Sequence, residues 1–414
     1  MREYDVLIVG GGHAGVALVG QLAKSGFAGS IAVVDAQDGL PYERPPLSKG
    51  FVLDEADETT LLLRHPEYWT SGVADHLPRT AITRVDPDAR VVEADTGELF
   101  RYGSLVWATG ASARRLALPG GDAANVLSLR TLDDARRLKN LAGEAARIVI
   151  IGGGYIGLET AATLAKLGKQ VTVVEIQERL LARVAGVTIA DHLLRVHAEH
   201  GVRVLLRTGV AGLDLVDGHV RSVLLTDGGL LPADVLVVGI GVEPRIGPVA
   251  AAGAEVGNGV LVDEWCRTSL QDVYAIGDIA AQENEFAGGA VVRLESVPNV
   301  TEQAKLVAAA LTGTARPMRG VPWFWSNQYD VRLQIAGLLV GFDQEVRRAA
   351  DGASGFVVGY FKDGRLIAAD CVNAPRDFNA VKTLLGKRVA VPPERFSDSA
   401  IPLPELAKHA AAPA

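Results

Sequence analysis

The chain has 414 residues, 48% hydrophobic and 22% charged, with a formal net charge of -8; this suits two or three folded domains and argues against nucleic acid as a main partner. No apolar run approaches the ~20 residues that span a bilayer, and the first residues lead directly into a strand pattern, which predicts no membrane contact and no signal peptide. The two cysteines, Cys266 and Cys371, lie far apart and make no disulfide framework and no zinc or iron-sulfur spacing, so a reducing cytoplasm is the expected setting.

The first element is a buried parallel strand ending at Val6-Leu7-Ile8-Val9. Gly10-x-Gly12-x-x-Gly15 follows at once, and an apolar helix pattern runs through Val16, Leu18, Val19 and Leu22. Gly10 permits the tight turn, Gly12 lets a pyrophosphate approach the backbone, and Gly15 lets the helix pack close on the strand. A second strand, Ile31 to Val34, ends in Asp35, placed to accept from a ribose hydroxyl. Ala81 to Leu99 reads as a β-meander with turns at Asp86-Pro87-Asp88 and Asp95-Thr96-Gly97. Leu105-Val106-Trp107-Ala108-Thr109-Gly110 is an apolar strand stopping on glycine.

The same series then recurs. Arg147 to Ile151 leads into Gly152-x-Gly154-Tyr155-Ile156-Gly157, a helix carries Glu159, and the next strand ends in Glu175. Gly10, Gly12, Gly15, Leu22, Lys24 and Gly26 match Gly152, Gly154, Gly157, Leu164, Lys166 and Gly168, each 142 residues on. Leu213 to Leu231 is a second meander, and Val235 to Val238 leads to Gly239-Ile240-Gly241. Two similar nucleotide-binding domains imply two dinucleotides, and a flavin with a nicotinamide is the chemically useful pair. Glu175 would accept from the adenosine ribose and repel a 2′-phosphate, favouring NADH; Arg179 and Arg183 nearby could soften that preference.

Asp191, His192, His197 and His200 share a helical stretch, but their spacing suits a solvated face far better than a metal. Ser296 suits a cap and Pro298 a first helical turn before an apolar helix through Ala304, Val307, Ala308 and Leu311. From Trp323, where Trp323 and Trp325 face one side of a strand, the signals are α+β: strands at Arg332–Leu339, Phe356–Phe361 and Leu366–Cys371, an Asp363-Gly364 turn, and a helix from Arg376 to Leu385.

Several motifs carry a family resemblance. Tyr274-Ala275-x-Gly277-Asp278 resembles the second flavin signature of two-dinucleotide flavoprotein reductases, and Ala108-Thr109-Gly110 resembles the short motif beside their flavin nucleotide. Pro41-Tyr42-Glu43-Arg44-Pro45-Pro46-Leu47-Ser48-Lys49 and Val321 to Tyr329 are similar to stretches shared by the putidaredoxin reductase-like and aromatic dioxygenase ferredoxin reductases. The resemblance fades only in the Ala-rich tail after Leu406. It implies an α/β fold with two Rossmann-like dinucleotide-binding domains, glutathione-reductase-like, plus a smaller C-terminal α+β domain. The FAD-binding domain would comprise residues 1–112 and 246–322, the NAD-binding domain 113–245, and the C-terminal domain 323–414.

The resemblance also assigns residues. Lys49 and Glu159 would pair close to the reactive edge of the flavin, with Glu159 on the first turn of its helix, and Trp325 would lie against the ring. Gly10, Gly12, His13, Ala14, Gly15, Asp35, Arg44, Ala81, Thr109, Gly110, Arg130, Asp278 and Val297 would hold the flavin, with N–H groups at the helix start after Ser296 facing its pyrimidine edge. Gly152, Gly154, Tyr155, Ile156, Gly157, Glu175, Arg183 and Gly241 would hold the nicotinamide nucleotide.

Disulfide reductases, peroxidases and oxidases of this fold need cysteine near the flavin, and none occurs between Asp35 and Lys49. Electrons would then leave to another protein, and the resemblance implies an NADH-dependent ferredoxin reductase. Hydride would pass from NADH to FAD, and single electrons to an iron-sulfur ferredoxin feeding a haem-thiolate monooxygenase or a ring-hydroxylating dioxygenase, with rubredoxin a possible acceptor. The alternatives are a cysteine-independent NADH oxidase and an NADH-sensing flavoprotein resembling apoptosis-inducing factor. Arg316, Arg319, Arg347-Arg348 and Lys387-Arg388 are candidates for a basic rim that steers an acidic ferredoxin.

Overall fold

Strand Arg2–Val9 lies inside a seven-stranded sheet in the computed structural model, which describes residues 1–350 and 355–408. Most of the Ala-rich tail therefore lies outside the described residues. Ile31–Val34 pairs in parallel on one side of Arg2–Val9 and Leu99–Trp107 on the other. Ile82–Asp86 and Val91–Ala94 continue the sheet antiparallel, as the first meander. Val273–Ala275 returns late in the chain to pair with Leu105 to Trp107. A run such as Val6 to Val9, nearly all apolar, is buried on both faces, the signature of an internal parallel strand. One face packs under helices His13–Lys24 and Val297–Thr312, where Val16, Leu18, Val19 and Leu22 meet Ala304, Val307 and Ala308 in one core. This compact unit comprises Met1–Glu43, Glu58–Ser112 and Pro244–Phe324.

The second unit comprises Arg44–Asp57, Ala113–Glu243 and the chain from Trp325 on. Its nucleotide-binding half repeats the plan with a five-stranded parallel sheet. Arg147–Ile151 is flanked by Gln170–Val174 and Val235–Val238. The second meander, Val210–Val216, His219–Leu225 and Leu230–Pro232, packs its inner residues Val220, Val223 and Leu231 into the same core. The C-terminal part is a five-stranded sheet in the order Trp323–Gln328, Val331–Gly337, Arg365–Val372, Phe356–Lys362, Gln344–Ala349, with helix Pro375–Gly386 against it. Gln344–Ala349 had no strand signal, because its sequence Gln-Glu-Val-Arg-Arg-Ala is mostly charged or polar.

Two charges in this sheet are internal. Arg348 is 4% exposed, and its guanidinium donates to the carbonyls of Phe396 (2.8 Å) and Ile401 (2.9 Å), so it braces the fold and does not belong to a docking rim. Asp370 is fully buried and accepts from Tyr360 Oη at 2.5 Å; burial pushes its carboxyl up to about 7. An acid held above its ordinary value binds its proton more tightly folded than unfolded. Its contribution to stability therefore falls as pH rises from about 4 to about 7 and stays level above that. Asp370→Asn should remove this slope: between about pH 5 and about pH 8 the wild-type melting temperature should fall by several degrees more than the variant's, as read by calorimetry.

Candidate functional site

Each nucleotide-binding half is built around a turn that only glycine can make. Gly10 has φ +116° and Gly152 φ +108°. A Cβ on Gly10 would lie 2.4 Å from the Ala108 carbonyl oxygen, and one on Gly152 would lie 2.3 Å from that of Gly239. The third glycine of each motif is fixed by close approach: a Cβ on Gly15 or Gly157 would fall 2.2 Å from the carbonyl oxygen of Gly10 or Gly152. The middle glycines differ. Gly12 and Gly154 are the N-caps of helices His13–Lys24 and Tyr155–Lys166, neither helix has a side-chain cap, and neither has an acid in its first turn. A Cβ on Gly154 would meet nothing within 4 Å. An uncapped helix start with no acid in its own first turn suits a pyrophosphate, so both turns fit a dinucleotide.

The acids that follow are held in place by backbone. Glu175 accepts from the N–H groups of Gly153 (2.6 Å) and Gln177 (2.7 Å). Asp35, 7% exposed, accepts from Gln37 N–H at 3.1 Å, and a Cβ on Gly11 would lie 2.3 Å from its Oδ2. Gly11 is thus glycine because a carboxylate comes up against it, whereas a Cβ on Gly153 would lie 2.6 Å from Leu180 Cδ2 and 3.1 Å from Glu175 Oε2. Neither Gly11 nor Gly153 was singled out in the sequence, although both stand there plainly.

Within the first unit the residues assigned to the flavin converge. Gly277, at φ +81°, donates its N–H to Gln303 Oε1 at 2.7 Å, and its Cβ position lies 3.1 Å from Ala14. This brings Asp278 beside the start of the first helix, with His13 and Ala14, and beside the Val297–Thr312 helix. Thr80 donates its N–H to the Asp35 carbonyl, which places Ala81 next to Asp35. Thr109 Oγ1 donates to the Arg245 carbonyl at 2.7 Å, as does Trp107 Nε1 at 2.9 Å, and Arg245 N–H returns to Gly110 O. At the Val297 helix, Asn299 N–H is spent on Ser296 Oγ, Val300 N–H on Ser296 O, and Pro298 has none. That narrows the expected first-turn donors to Val297.

Within the second unit Lys49 Nζ lies 2.6 Å from Glu159 Oε2. Glu159 is 3% exposed and takes two further donors, Ser48 Oγ at 2.8 Å on Oε2 and Ser326 Oγ at 2.7 Å on Oε1. Its helix begins at Tyr155, so Glu159 stands in the second turn, not the first; what holds this carboxylate is its three donors, not the helix dipole. Ser48 and Ser326 were missed. The signal for Ser326 was its alternation with Trp325: Ser326 and Gln328 face inward, and Trp323 and Trp325, half-buried, lie on the other side of the strand. Arg44 Nη1 donates to the Arg130 carbonyl at 3.0 Å, joining those two residues. Arg183 Nη2 is 3.7 Å from the Cβ position of Gly241, whereas Arg179 is spent on the carbonyls of Ala182 and Ala185. Tyr155 is half-buried and Ile156 exposed.

Other side chains have structural partners. Arg319 binds Gln282 Oε1 and the Glu283 carbonyl, which takes it out of the expected basic rim; Arg316, Arg347, Lys387 and Arg388 are exposed. Cys266 is fully buried, and burial pushes its thiol up to about 12; burial likewise raises Cys371. Neither is a reactive thiolate. Among the described residues no group of three His, Cys, Asp or Glu could hold a metal, and no helix is long and apolar enough to cross a membrane. His197 departs from the expected solvated face, being 0% exposed.

Known proteins resemble this chain over nearly its whole length. The pyridine nucleotide-disulphide oxidoreductase profile matches residues 4–304, and a reductase C-terminal profile matches residues 323–407. The chain is 46% identical over 393 residues to a ferredoxin–NAD(P)+ reductase of Sphingomonas sp., covering 94% of this chain and 95% of that one. It is 43% identical to the ferredoxin reductase subunit of a 5,5′-dehydrodivanillate O-demethylase from Sphingobium sp., covering 98% and 99%. Among solved structures, a covalent putidaredoxin reductase–putidaredoxin complex aligns with TM-score 0.95 at 36% identity, covering 100% of this chain and 99% of the reductase.

The two glycine turns give separable outcomes. Gly15→Ala should cost the purified protein its flavin. Gly157→Ala should leave the flavin bound and raise the KM for the nicotinamide nucleotide at least about tenfold. Absorbance of the purified variants and initial rates check both.

Proposed function

Because the chain belongs to the pyridine nucleotide-disulphide oxidoreductase family, we propose that it works as an NADH-dependent ferredoxin reductase with FAD held by the first glycine turn and NADH by the second. FAD, when bound, takes a hydride from NADH and releases electrons singly. The observation that carries the reading is the duplicated, uncapped glycine turn, each followed by a backbone-held acid, in a chain whose two thiols are both buried. No internal disulfide is available to receive electrons, so they must leave to an external acceptor. Relatives named as ferredoxin reductases, one of them a subunit of an O-demethylase and another captured with putidaredoxin, support an iron-sulfur protein as that acceptor and an oxygenase beyond it. Two free, buried cysteines suit a reducing, cytoplasmic setting.

The residues divide the work. Gly10, Gly12, Gly15 and the first helix start bind the flavin pyrophosphate, Asp35 its ribose, and Asp278 its ribityl chain. Arg44, Arg130, Thr109 and Val297 orient the remainder, and Trp325 covers the ring. Lys49 presents an ammonium to the flavin edge, where it stabilises developing negative charge, and Glu159 holds that ammonium in place. Gly152, Gly154, Gly157, Tyr155, Ile156, Arg183 and Gly241 cradle the nicotinamide nucleotide. The three-part division at 1–112 with 246–322, 113–245 and 323–414 goes with this assignment.

Glu175 sets the choice of nucleotide. Its carboxylate, fixed by two N–H groups, would face a 2′-phosphate directly. NADH should exceed NADPH in kcat/KM by about 10- to 1000-fold, and Glu175→Ala should narrow the gap chiefly by weakening NADH. A wild-type preference for NADPH would refute the assignment.

Electron exit gives a second test. Ferredoxin reduction should slow as added salt shortens the Debye length below ~10 Å, while ferricyanide reduction by NADH changes much less. Charge reversal at exposed Arg316 or Arg347 should raise the KM for ferredoxin and leave hydride transfer alone. If no ferredoxin accepts electrons faster than oxygen does, the reductase reading gives way to an NADH oxidase.

A further inference from the structure

A line of buried polar groups leads away from Glu159 through the second unit. Ser326 Oγ contacts Glu159 Oε1 at 2.7 Å, Gln328 Nε2 contacts Ser326 Oγ at 3.2 Å, and His197 Nε2 contacts Gln328 Oε1 at 2.9 Å. Tyr329 Oη lies 3.4 Å from His197 Nδ1, and the Tyr329 ring stacks on the exposed His200 at 3.7 Å between centroids. Glu159, Ser326, Gln328 and His197 are each 3% exposed or less. They come from three separate elements: helix Tyr155–Lys166, strand Trp323–Gln328 and helix Val187–Glu199.

The direction of every proton follows from the end of the line. The Glu159 carboxylate, paired with Lys49, can only accept, so Ser326 donates to it. Ser326 Oγ then accepts from the Gln328 amide N–H, which turns Gln328 Oε1 toward His197. His197 Nε2 must carry the hydrogen, leaving Nδ1 to accept from Tyr329. All donors point the same way, toward one negative charge, an arrangement in which each bond polarises the next. Burial lowers the basicity of His197, with the neighbouring His200 acting in the same direction and the Gln328 hydrogen bond against it. A neutral imidazole with a single, defined tautomer suits this line.

We propose that His197 is a positioning residue for hydride transfer, acting through Gln328 and Ser326 to fix the Glu159 carboxylate and with it the Lys49 ammonium. His197 touches no nucleotide in this assignment; it sets where Lys49 sits. The proposal rests on the reading of Lys49 as the residue at the flavin edge. It also explains why a histidine and a glutamine are buried in a helix–strand contact that leucine and methionine would fill at lower desolvation cost.

The test has two arms, and neither uses ferredoxin, so failure of the ferredoxin assignment leaves both standing. In the first, 15N-histidine spectra of the flavin-loaded protein should show His197 as the neutral Nε2–H tautomer, and its Nε2–H resonance should shift in Glu159→Gln. A Nδ1–H tautomer, or a resonance that Glu159→Gln leaves unmoved, would overturn the proposal. In the second, anaerobic flavin reduction by saturating NADH should be about tenfold slower in His197→Phe, with the KM for NADH within about twofold of wild type. Combining His197→Phe with Glu159→Gln should slow the step no further than Glu159→Gln alone, because both changes act on one carboxylate. An unchanged rate in His197→Phe, or effects that multiply in the double variant, would overturn it. Gln328→Met breaks the same line from the strand side and takes the place of His197→Phe under the same criteria if the latter does not fold.

Discussion

The backbone at Gly10 and Gly152 is the constraint on which everything else rests. At each position the chain leaves a buried parallel strand with φ above +100°, and a Cβ there would run into the carbonyl just past the end of a neighbouring strand. Only a residue without a Cβ can do this. The turn aims the next helix N-terminus out of the sheet edge, and the missing side chains at Gly12 and Gly154 leave that terminus open. The chain repeats one solution 142 residues apart and gives it two different acids, one short and buried, the other longer and half-buried.

The Lys49–Glu159 pair is the second organising feature. Taking a carboxylate out of water costs several kcal/mol, and one partial ion pair does not by itself return it. Here two serine hydroxyls complete the carboxylate's hydrogen bonding, and Thr163 Oγ1 binds the Ser48 carbonyl so that the segment carrying Lys49 cannot slide. Such a pair contributes little net stability. In the proposed function its value lies in placing one ammonium at one point, where charge would develop.

Much of this was legible in the sequence. The doubled glycine motif with its terminal acids gave the two nucleotide-binding halves, and alternation gave both meanders. Those signals are local, set by backbone conformation and burial period. What was not legible depends on partners distant in sequence. Arg348 read as a surface charge because its carbonyl partners, Phe396 and Ile401, come from a segment some fifty residues away. Strand Gln344–Ala349 was hidden by the same charges. Ser326 and His197 became meaningful only when a strand and a helix from opposite ends of the second unit were seen together. The offset of Glu159 by one helical turn reflects the same limit: a motif gives residue spacing, and the cap decides where the helix starts.

In the proposed function one chain holds two different dinucleotides, a flavin in the first turn and a nicotinamide in the second. Nucleotide stoichiometry tests it most directly: denature the purified protein, identify and count the released flavin, and titrate the intact holoprotein with NAD+ by calorimetry. One noncovalent FAD per chain and one further NAD+ site are expected. Release of FMN, a covalent flavin, no flavin, or a holoprotein with no second nucleotide site would contradict it.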